Sequence, residues 1–265
     1  MTIWIALLLG IVQGLCEFLP VSSSGHLVLL HNIFGIEEGA MFFTIMLHVG
    51  TLVAVFVVYR KEIWELLRRP IQKKVGMLLI ALVPTVVIAL LFKDFFEDAY
   101  SGRFLGFGFL LTAAILYASE RTKSKQKTAE SMNAKNALCI GLMQSVAILP
   151  GVSRSGSTIA GGLFCGMDKK AAADFSFILS IPAILGSVVL EIPDMLELGF
   201  SNINWLYVVV GMVAAAISGY FAIRLMLKAV TGKKLWPFAV YVAVLGAFIL
   251  ADQFITNFFF MNPFA

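Results

Sequence analysis

The chain has 265 residues, of which 60% are hydrophobic and only 14% charged, and its formal net charge is +4. A mean hydropathy of +0.91 leaves too little polar surface for a soluble domain of this length. The composition therefore excludes a soluble protein and predicts an all-α polytopic membrane protein.

The first predicted element is an apolar run that begins at Ile3 and leads into a polar segment, Gln13–His26, which we name the first break. The run has no basic residues before it, so a cleavable signal peptide is not expected. Gln13, the first residue of the break, and Glu17 lie one turn apart on one helical face. Pro20 then ends this helix, and Ser22–Ser24 are good N-caps for a second helix.

Apolar stretches follow in chain order and predict six membrane spans, because about 20 apolar residues cross a bilayer core. They cover residues 40–59, 76–92, 104–119, 172–190, 205–227 and 236–258, of which the second and third are short. His48 lies within the first of them. We expect it to hydrogen-bond a neighbouring helix in a structural role.

A second polar segment, Gln144–Thr158, separates the third and fourth spans, and we name it the second break. It repeats the design of the first break, with Arg154 at the place of Ser23. The start of a helix directs free N–H groups and a positive dipole end at whatever precedes it, which suits a phosphate. Arg154 adds planar donors that match phosphate oxygens. Together the two breaks predict one phosphate-handling site.

The two breaks belong to an internal repeat. A shift of 131 residues pairs Gln13 with Gln144 and Ser22 with Ser153. The sequence therefore predicts a duplication, with repeat one in residues 1–133 and repeat two in residues 134–265, as one structural unit. Each repeat is expected to hold one re-entrant helical hairpin, 3–33 or 137–166, plus three spans.

Charge placement orients these repeats. Basic clusters tend to stay in the cytoplasm. They lie at Arg60–Lys74, Arg121–Lys135, Lys169-Lys170 and Arg224–Lys234, and acid-rich segments lie between them at Glu37-Glu38, Asp94–Asp98 and Glu191–Glu197. Each repeat then crosses the membrane an odd number of times, so the halves have inverted topology and their broken helices meet near the midplane. The net charge of +4 follows from this excess of basic residues in the cytoplasmic segments, and no nucleic-acid partner is expected.

At these residues the sequence resembles the bacterial undecaprenyl-diphosphate phosphatase family, known for bacitracin resistance. The family carries a Glu/Gln-x-x-x-Glu motif, here Gln13 and Glu17, followed by a Ser-Ser-x-Gly-His stretch, here Ser22–His26. It also carries a Pro-Gly-x-Ser-Arg-Ser-x-x-Thr motif, here Pro150–Thr158 without a mismatch. The similarity extends over essentially the whole chain.

The resemblance implies an enzyme that removes the terminal phosphate of a C55 polyprenyl diphosphate and so recycles the lipid carrier of cell-wall synthesis. It implies a multi-pass protein of the bacterial cytoplasmic (inner) membrane whose active site opens to the periplasmic side. It also implies a divalent cation, Mg²⁺ or Ca²⁺. The partners expected are the lipid substrate and the bilayer, and a homodimer is left open.

Residue types suggest roles in this chemistry. Ser23 attacks the terminal phosphorus or positions a water that does, Glu17 accepts its proton or holds the cation, and His26 assists proton transfer. Arg154 binds the phosphoryl oxygens and stabilises their charge. The residues expected to bind substrate beside it are Ser22, Ser24, Ser153, Ser155 and Thr158. The metal ligands expected are Glu17 and Gln13, although an amide at position 13 binds a cation more weakly than the family's usual carboxylate.

Alternatives remain at this point. Broken helices at the midplane also occur in secondary transporters, so a transporter or flippase of a phosphorylated lipid or anion is the main competitor. Glu17 and Arg154 could also form a buried ion pair that only holds the hairpins together. A separate class of lipid phosphatases with a Ser-Arg-x5-His motif is rejected, because position 160 is Ala160.

Overall fold

A computed structural model describes residues 1–36, 40–122, 127–128, 131–198, 204–232, 235–256 and 260. Within these ranges the regular structure is helical, apart from an isolated β-bridge between Lys127 and Met167. The helices are α1 Ile3–Phe18, α2 Ser23–Phe34, α3 Ala40–Arg68, α4 Lys73–Leu91, α5 Lys93–Ala99, α6 Leu105–Glu120, α7 Ala134–Val146, α8 Arg154–Phe164, α9 Lys169–Leu198, α10 Trp205–Thr231 and α11 Trp236–Ala251, followed by a π-helical turn Asp252–Thr256.

Five of the described helices are long and apolar enough to cross a membrane. They contain Phe42–Arg68, Lys73–Leu91, Lys169–Leu190, Trp205–Thr231 and Trp236–Thr256. The prediction of an all-α polytopic membrane protein is therefore confirmed. The third predicted span, 104–119, falls on α6, whose 16 residues are fewer than the roughly 20 that a span needs. The sequence prediction already marks this stretch as short, and the role of α6 as a sixth span stays a prediction.

Part of the charge pattern that predicts the orientation falls on residues that the structure does not describe. Glu37-Glu38 and residues 123–126, 129–130 and 233–234 of the basic clusters lie outside the described residues. The orientation of the helices relative to the cytoplasm stays a prediction.

Each break separates two helices, as its sequence predicts. In the first, α1 ends at Phe18 and α2 begins at Ser23, with Ser22 as the N-cap whose hydroxyl accepts the Gly25 N–H at 3.2 Å. In the second, the N-cap Ser153 accepts the Gly156 N–H of α8 at 3.1 Å. The re-entrant path of these helix pairs, the inverted relation of the halves and their boundary stay predictions.

Helices that are distant in the chain pack closely through small residues. A Cβ atom added at Gly14 of α1 would lie 2.0 Å from the Oγ of Ser218 and 2.4 Å from the carbonyl oxygen of Ala215, both on α10. Likewise, a Cβ atom at Gly141 of α7 would lie 2.2 Å from the carbonyl oxygen of Ala81 on α4. Without a hydrophobic driving force between helices in lipid, such close backbone approach is a main source of helix association. The contact with α10 fixes the helix that carries Glu17.

Gly14→Ala is expected to destabilise the protein by about 1–3 kcal/mol, because the added methyl group forces α1 away from α10. The measurement is the thermal unfolding midpoint in detergent. The matched control is Gly76→Ala in α4, where an added Cβ has no neighbour within 4 Å and alanine favours the helix. Equal midpoints for the two variants would contradict a tight contact between α1 and α10.

Candidate active site

The two breaks are in direct contact. A Cβ atom added at Gly25 would lie 2.8 Å from the Cα of Gly151, and one added at Gly156 would lie 3.2 Å from the Cβ of Pro20. Ser155, in the first turn of α8, donates its hydroxyl to the carbonyl of Leu19 at 3.1 Å. The starts of α2 and α8 therefore share one region, with the end of α1 beside them.

The carboxylate of Glu17 joins the two breaks. Its side chain is only 5% exposed and lies in the last turn of α1. Oε2 accepts hydrogen bonds from Ser23 Oγ at 2.6 Å and from Gln13 Nε2 at 3.0 Å. Oε1 accepts from Arg154 Nη2 at 2.5 Å. The structure thus brings Glu17, Ser23 and Arg154 together, as the shared-site hypothesis requires.

Arg154 is the first residue of α8, and its side chain is 15% exposed. Its Nη1 donates to the carbonyl of Ser176 on α9 at 3.3 Å, so the guanidinium is anchored from two sides. A guanidinium has five N–H donors. The hydrogen bonds to Ser176 and Glu17 use one N–H of Nη1 and one N–H of Nη2. The remaining donors suit the oxygens of a phosphoryl group. A buried pair of this kind leaves a costly unpaired charge if either partner is removed.

His48 is a member of this site that the sequence interpretation did not include. It lies on α3 with Nε2 at 3.5 Å from Glu17 Oε2, while Nδ1 lies 2.8 Å from the carbonyl of Thr44. His48 does contact a neighbouring helix as expected, but its partner is the central carboxylate. The sequence could have indicated this role, because His48, like Glu17, is an ionisable residue in an apolar segment, where such residues are costly and usually functional.

His26 lies in the first turn of α2 and is buried. Its Nδ1 is 2.7 Å from the carbonyl oxygen of Ser22, and its Nε2 is 2.7 Å from the hydroxyl of Tyr241 on α11. The two rings stack with centroids 5.7 Å apart. Both ring nitrogens are therefore engaged by groups other than Ser23 and Glu17. The role of His26 in proton transfer stays a prediction, and Tyr241 had no signal in the sequence.

The residues predicted to bind substrate surround the same two helix starts. Ser22 and Ser153 are the N-caps, and Ser24 Oγ lies 3.4 Å from Ser22 Oγ. The backbone N–H of Ser153 donates to Thr112 Oγ1 of α6 at 2.9 Å. Thr158 Oγ1 donates to the carbonyl of Arg154 at 2.8 Å. Their contact with a substrate stays a prediction.

The predicted metal ligands, Gln13 and Glu17, are adjacent, and their geometry limits how a cation could bind. Both carboxylate oxygens of Glu17 already accept hydrogen bonds, one of them from the cationic Arg154. Gln13 Oε1, by contrast, is buried and without a hydrogen-bond partner. In the described part of the chain no group of three or more His, Cys, Asp and Glu side chains could hold a metal ion. The residues fit a cation that takes most of its ligands from water and substrate phosphates, as Mg²⁺ often does.

Comparison with known proteins identifies close relatives over nearly the full length. The model of the family described as "Bacitracin resistance protein BacA" matches residues 6–248. An undecaprenyl-diphosphatase of Carboxydothermus hydrogenoformans is 46% identical over 251 residues, which cover 94% of this chain and 96% of the relative. Undecaprenyl-diphosphatase 4 of Bacillus cereus is 43% identical with the same coverage of both chains. An undecaprenyl-diphosphatase of Alkaliphilus metalliredigens is 41% identical, over 94% of this chain and 98% of the relative.

Proposed function

This chain belongs to the BacA family, and from that premise we propose that it is an undecaprenyl-diphosphatase. As an integral membrane phosphatase it hydrolyses undecaprenyl diphosphate to undecaprenyl phosphate and inorganic phosphate, which recycles the lipid carrier and confers bacitracin resistance. The observation that carries the proposal is the buried Glu17 carboxylate, which holds the Ser23 hydroxyl on one oxygen and the Arg154 guanidinium on the other.

In the first step the Ser23 Oγ–H transfers its proton to Glu17 Oε2, and Ser23 Oγ attacks the terminal phosphorus. The distance of 2.6 Å between these two oxygens supports this proton transfer. The bond between that phosphorus and the bridging oxygen breaks, and undecaprenyl phosphate leaves. Water then hydrolyses the phosphoserine, releases inorganic phosphate and restores the Ser23 hydroxyl. In the alternative, Ser23 only orients the attacking water.

Arg154 stabilises the charge that spreads over the transferred phosphoryl oxygens. Its anchor on the Ser176 carbonyl and its contact with Glu17 hold the guanidinium in place before substrate arrives. The backbone N–H groups at the starts of α2 and α8, next to Ser22 and Ser153, add partial positive charge from both breaks. A terminal phosphate between the breaks would thus meet donors on two sides.

A divalent cation, Mg²⁺ or Ca²⁺, would be held at this site by Gln13 and Glu17. Bound there, it would neutralise charge on the diphosphate oxygens. The partnerless Gln13 Oε1 supports the proposal. Gln13 itself orients Glu17 through its Nε2 hydrogen bond, whether or not the cation is present.

The proposed topology follows from the two breaks. The helix pairs in 3–33 and 137–166 are re-entrant hairpins, and the halves 1–133 and 134–265 are inverted repeats in the bacterial inner membrane, with the site open to the periplasmic side. The matched N-caps Ser22 and Ser153 support the repeat. The polyprenyl diphosphate is the substrate partner.

Detergent-solubilised protein is expected to release inorganic phosphate from undecaprenyl diphosphate, in amounts that match the loss of the diphosphate. This measurement separates a phosphatase from a transporter or flippase, because no second compartment exists in a micelle. The control is Arg154→Ala purified in the same way. Folded wild-type protein that releases no phosphate, with or without Mg²⁺ or Ca²⁺, would overturn the proposed function.

A further inference from the structure

The residue before Ser23 has a strained backbone. Ser22 has φ 69° and ψ 99°, and among the described residues it is the one non-glycine with positive φ. Such a conformation is unfavourable for a residue with a side chain and persists only where surrounding structure holds it. Because Ser22 precedes Ser23 directly, its conformation sets the direction in which the Ser23 side chain points.

His26 holds the carbonyl of this strained residue. The Ser22 carbonyl oxygen accepts both the backbone N–H of His26, at 3.2 Å, and the ring Nδ1, at 2.7 Å. Since a carbonyl can only accept, Nδ1 carries the ring proton, and Nε2 of the neutral ring is an acceptor. The Phe109 ring packs against the imidazole in a T-shaped arrangement with centroids 5.3 Å apart. The ring is thus fixed on the backbone that precedes Ser23.

Tyr241 completes the arrangement from α11. Its hydroxyl donates to Nε2 of His26 at 2.7 Å, and its ring stacks on the imidazole at an interplanar angle of 12°. With Nδ1 and Nε2 both engaged, His26 has no nitrogen left for Ser23 or Glu17. The hydrogen bond from Tyr241 to Nε2 favours the tautomer of His26 that carries its proton on Nδ1. This is the tautomer that can donate to the Ser22 carbonyl.

We propose that Tyr241 is a positioning residue for the hydrolysis, which acts through His26 on the Ser22 carbonyl and so keeps Ser23 within reach of Glu17. In this arrangement His26 is itself a positioning residue. The proposal rests on the proposed function. This positioning role differs from proton transfer by His26. For positioning, an amide that makes the same hydrogen bond as Nδ1 would replace the imidazole in part, whereas for proton transfer it would not.

The test compares steady-state kinetics of Tyr241→Phe, His26→Asn and the double variant. Tyr241→Phe keeps the stacked ring and removes the hydroxyl, so kcat is expected to fall about tenfold with KM within about twofold of the wild type. His26→Asn places an amide N–H near the Nδ1 position and is expected to retain activity within about tenfold of Tyr241→Phe. Since both changes act on one chain of contacts, the double variant should be no slower than His26→Asn.

The matched control is Tyr117→Phe, which removes a phenol hydroxyl that accepts a hydrogen bond from the exposed Arg121 and should leave kcat unchanged. An unchanged kcat for Tyr241→Phe would overturn the proposal. So would losses that multiply in the double variant, or a His26→Asn protein that keeps the wild-type unfolding midpoint but has no measurable turnover. An inactive wild-type protein would instead refute the phosphatase assignment, so the two failures are distinguishable.

Discussion

Arg154→Ala is expected to lower kcat/KM by at least about 10³-fold, in the range that loss of a charge-stabilising arginine costs in phosphoryl transfer. It is also expected to destabilise the protein by about 3–5 kcal/mol, because Glu17, which is 5% exposed, would be left as a buried charge without its partner. Phosphate release and the unfolding midpoint in detergent are the two measurements.

A second variant separates the two effects. Glu17→Gln combined with Arg154→Ala removes both charges, so much of the lost stability should return. Turnover should stay absent, because this variant lacks both the arginine and the carboxylate that accepts the Ser23 proton. Arg154→Lys keeps one positive charge but cannot reach both Glu17 and the Ser176 carbonyl, and should fall between Arg154→Ala and the wild type. If the double variant regains turnover together with stability, Arg154 is a structural partner of Glu17 and takes no part in the reaction.

Ser23→Ala is expected to reduce phosphate release by at least about 10³-fold, because removing a nucleophile costs far more than removing a binding contact. The hydroxyl lost is the one that donates to Glu17 Oε2 at 2.6 Å. Folding should change little, since Glu17 keeps its contacts with Gln13 and Arg154. Acid-quenched wild-type enzyme should contain phosphoserine at position 23, which mass spectrometry detects.

Ser24→Ala is the matched control for this variant. Ser24 is the next residue along α2, and its Oγ faces Ser22 Oγ at 3.4 Å, so its loss should slow release by roughly tenfold or less. Near-normal phosphate release by Ser23→Ala would remove Ser23 as the nucleophile. A large loss without any phosphoserine would favour an attacking water that Ser23 orients.

The contact of Glu17, Ser23 and Arg154 was predictable because each departs from its apolar surroundings. An ionisable group in a membrane segment is expensive unless it is paired, and the two Ser-rich breaks gave helix starts at which such groups could meet. The positions of the two helix breaks and their N-caps followed from Pro20, Pro150 and the serines after each of them. These signals are local, so one sequence is enough to find them.

The partners contributed by other helices could not be predicted in the same way. Tyr241 is 215 residues from His26, and a tyrosine in an apolar span is ordinary in membrane proteins. His48 was visible as an unusual residue, but its partner depended on how α3 packs beside α1. The orientation of the Gln13 amide could not be predicted either. Its nitrogen donates to Glu17, and its oxygen is buried without a hydrogen-bond partner.

The ion pair between Glu17 and Arg154 also has a consequence for biosynthesis. Its two residues are 137 positions apart in the chain. At about 5–20 residues per second, Glu17 therefore leaves the ribosome roughly 7 to 27 seconds before Arg154. During that interval the carboxylate has no counter-charge and α1 has no α10 to pack against, which is costly in hydrocarbon. The first segment of the site to be synthesised is therefore among the last to reach its final environment.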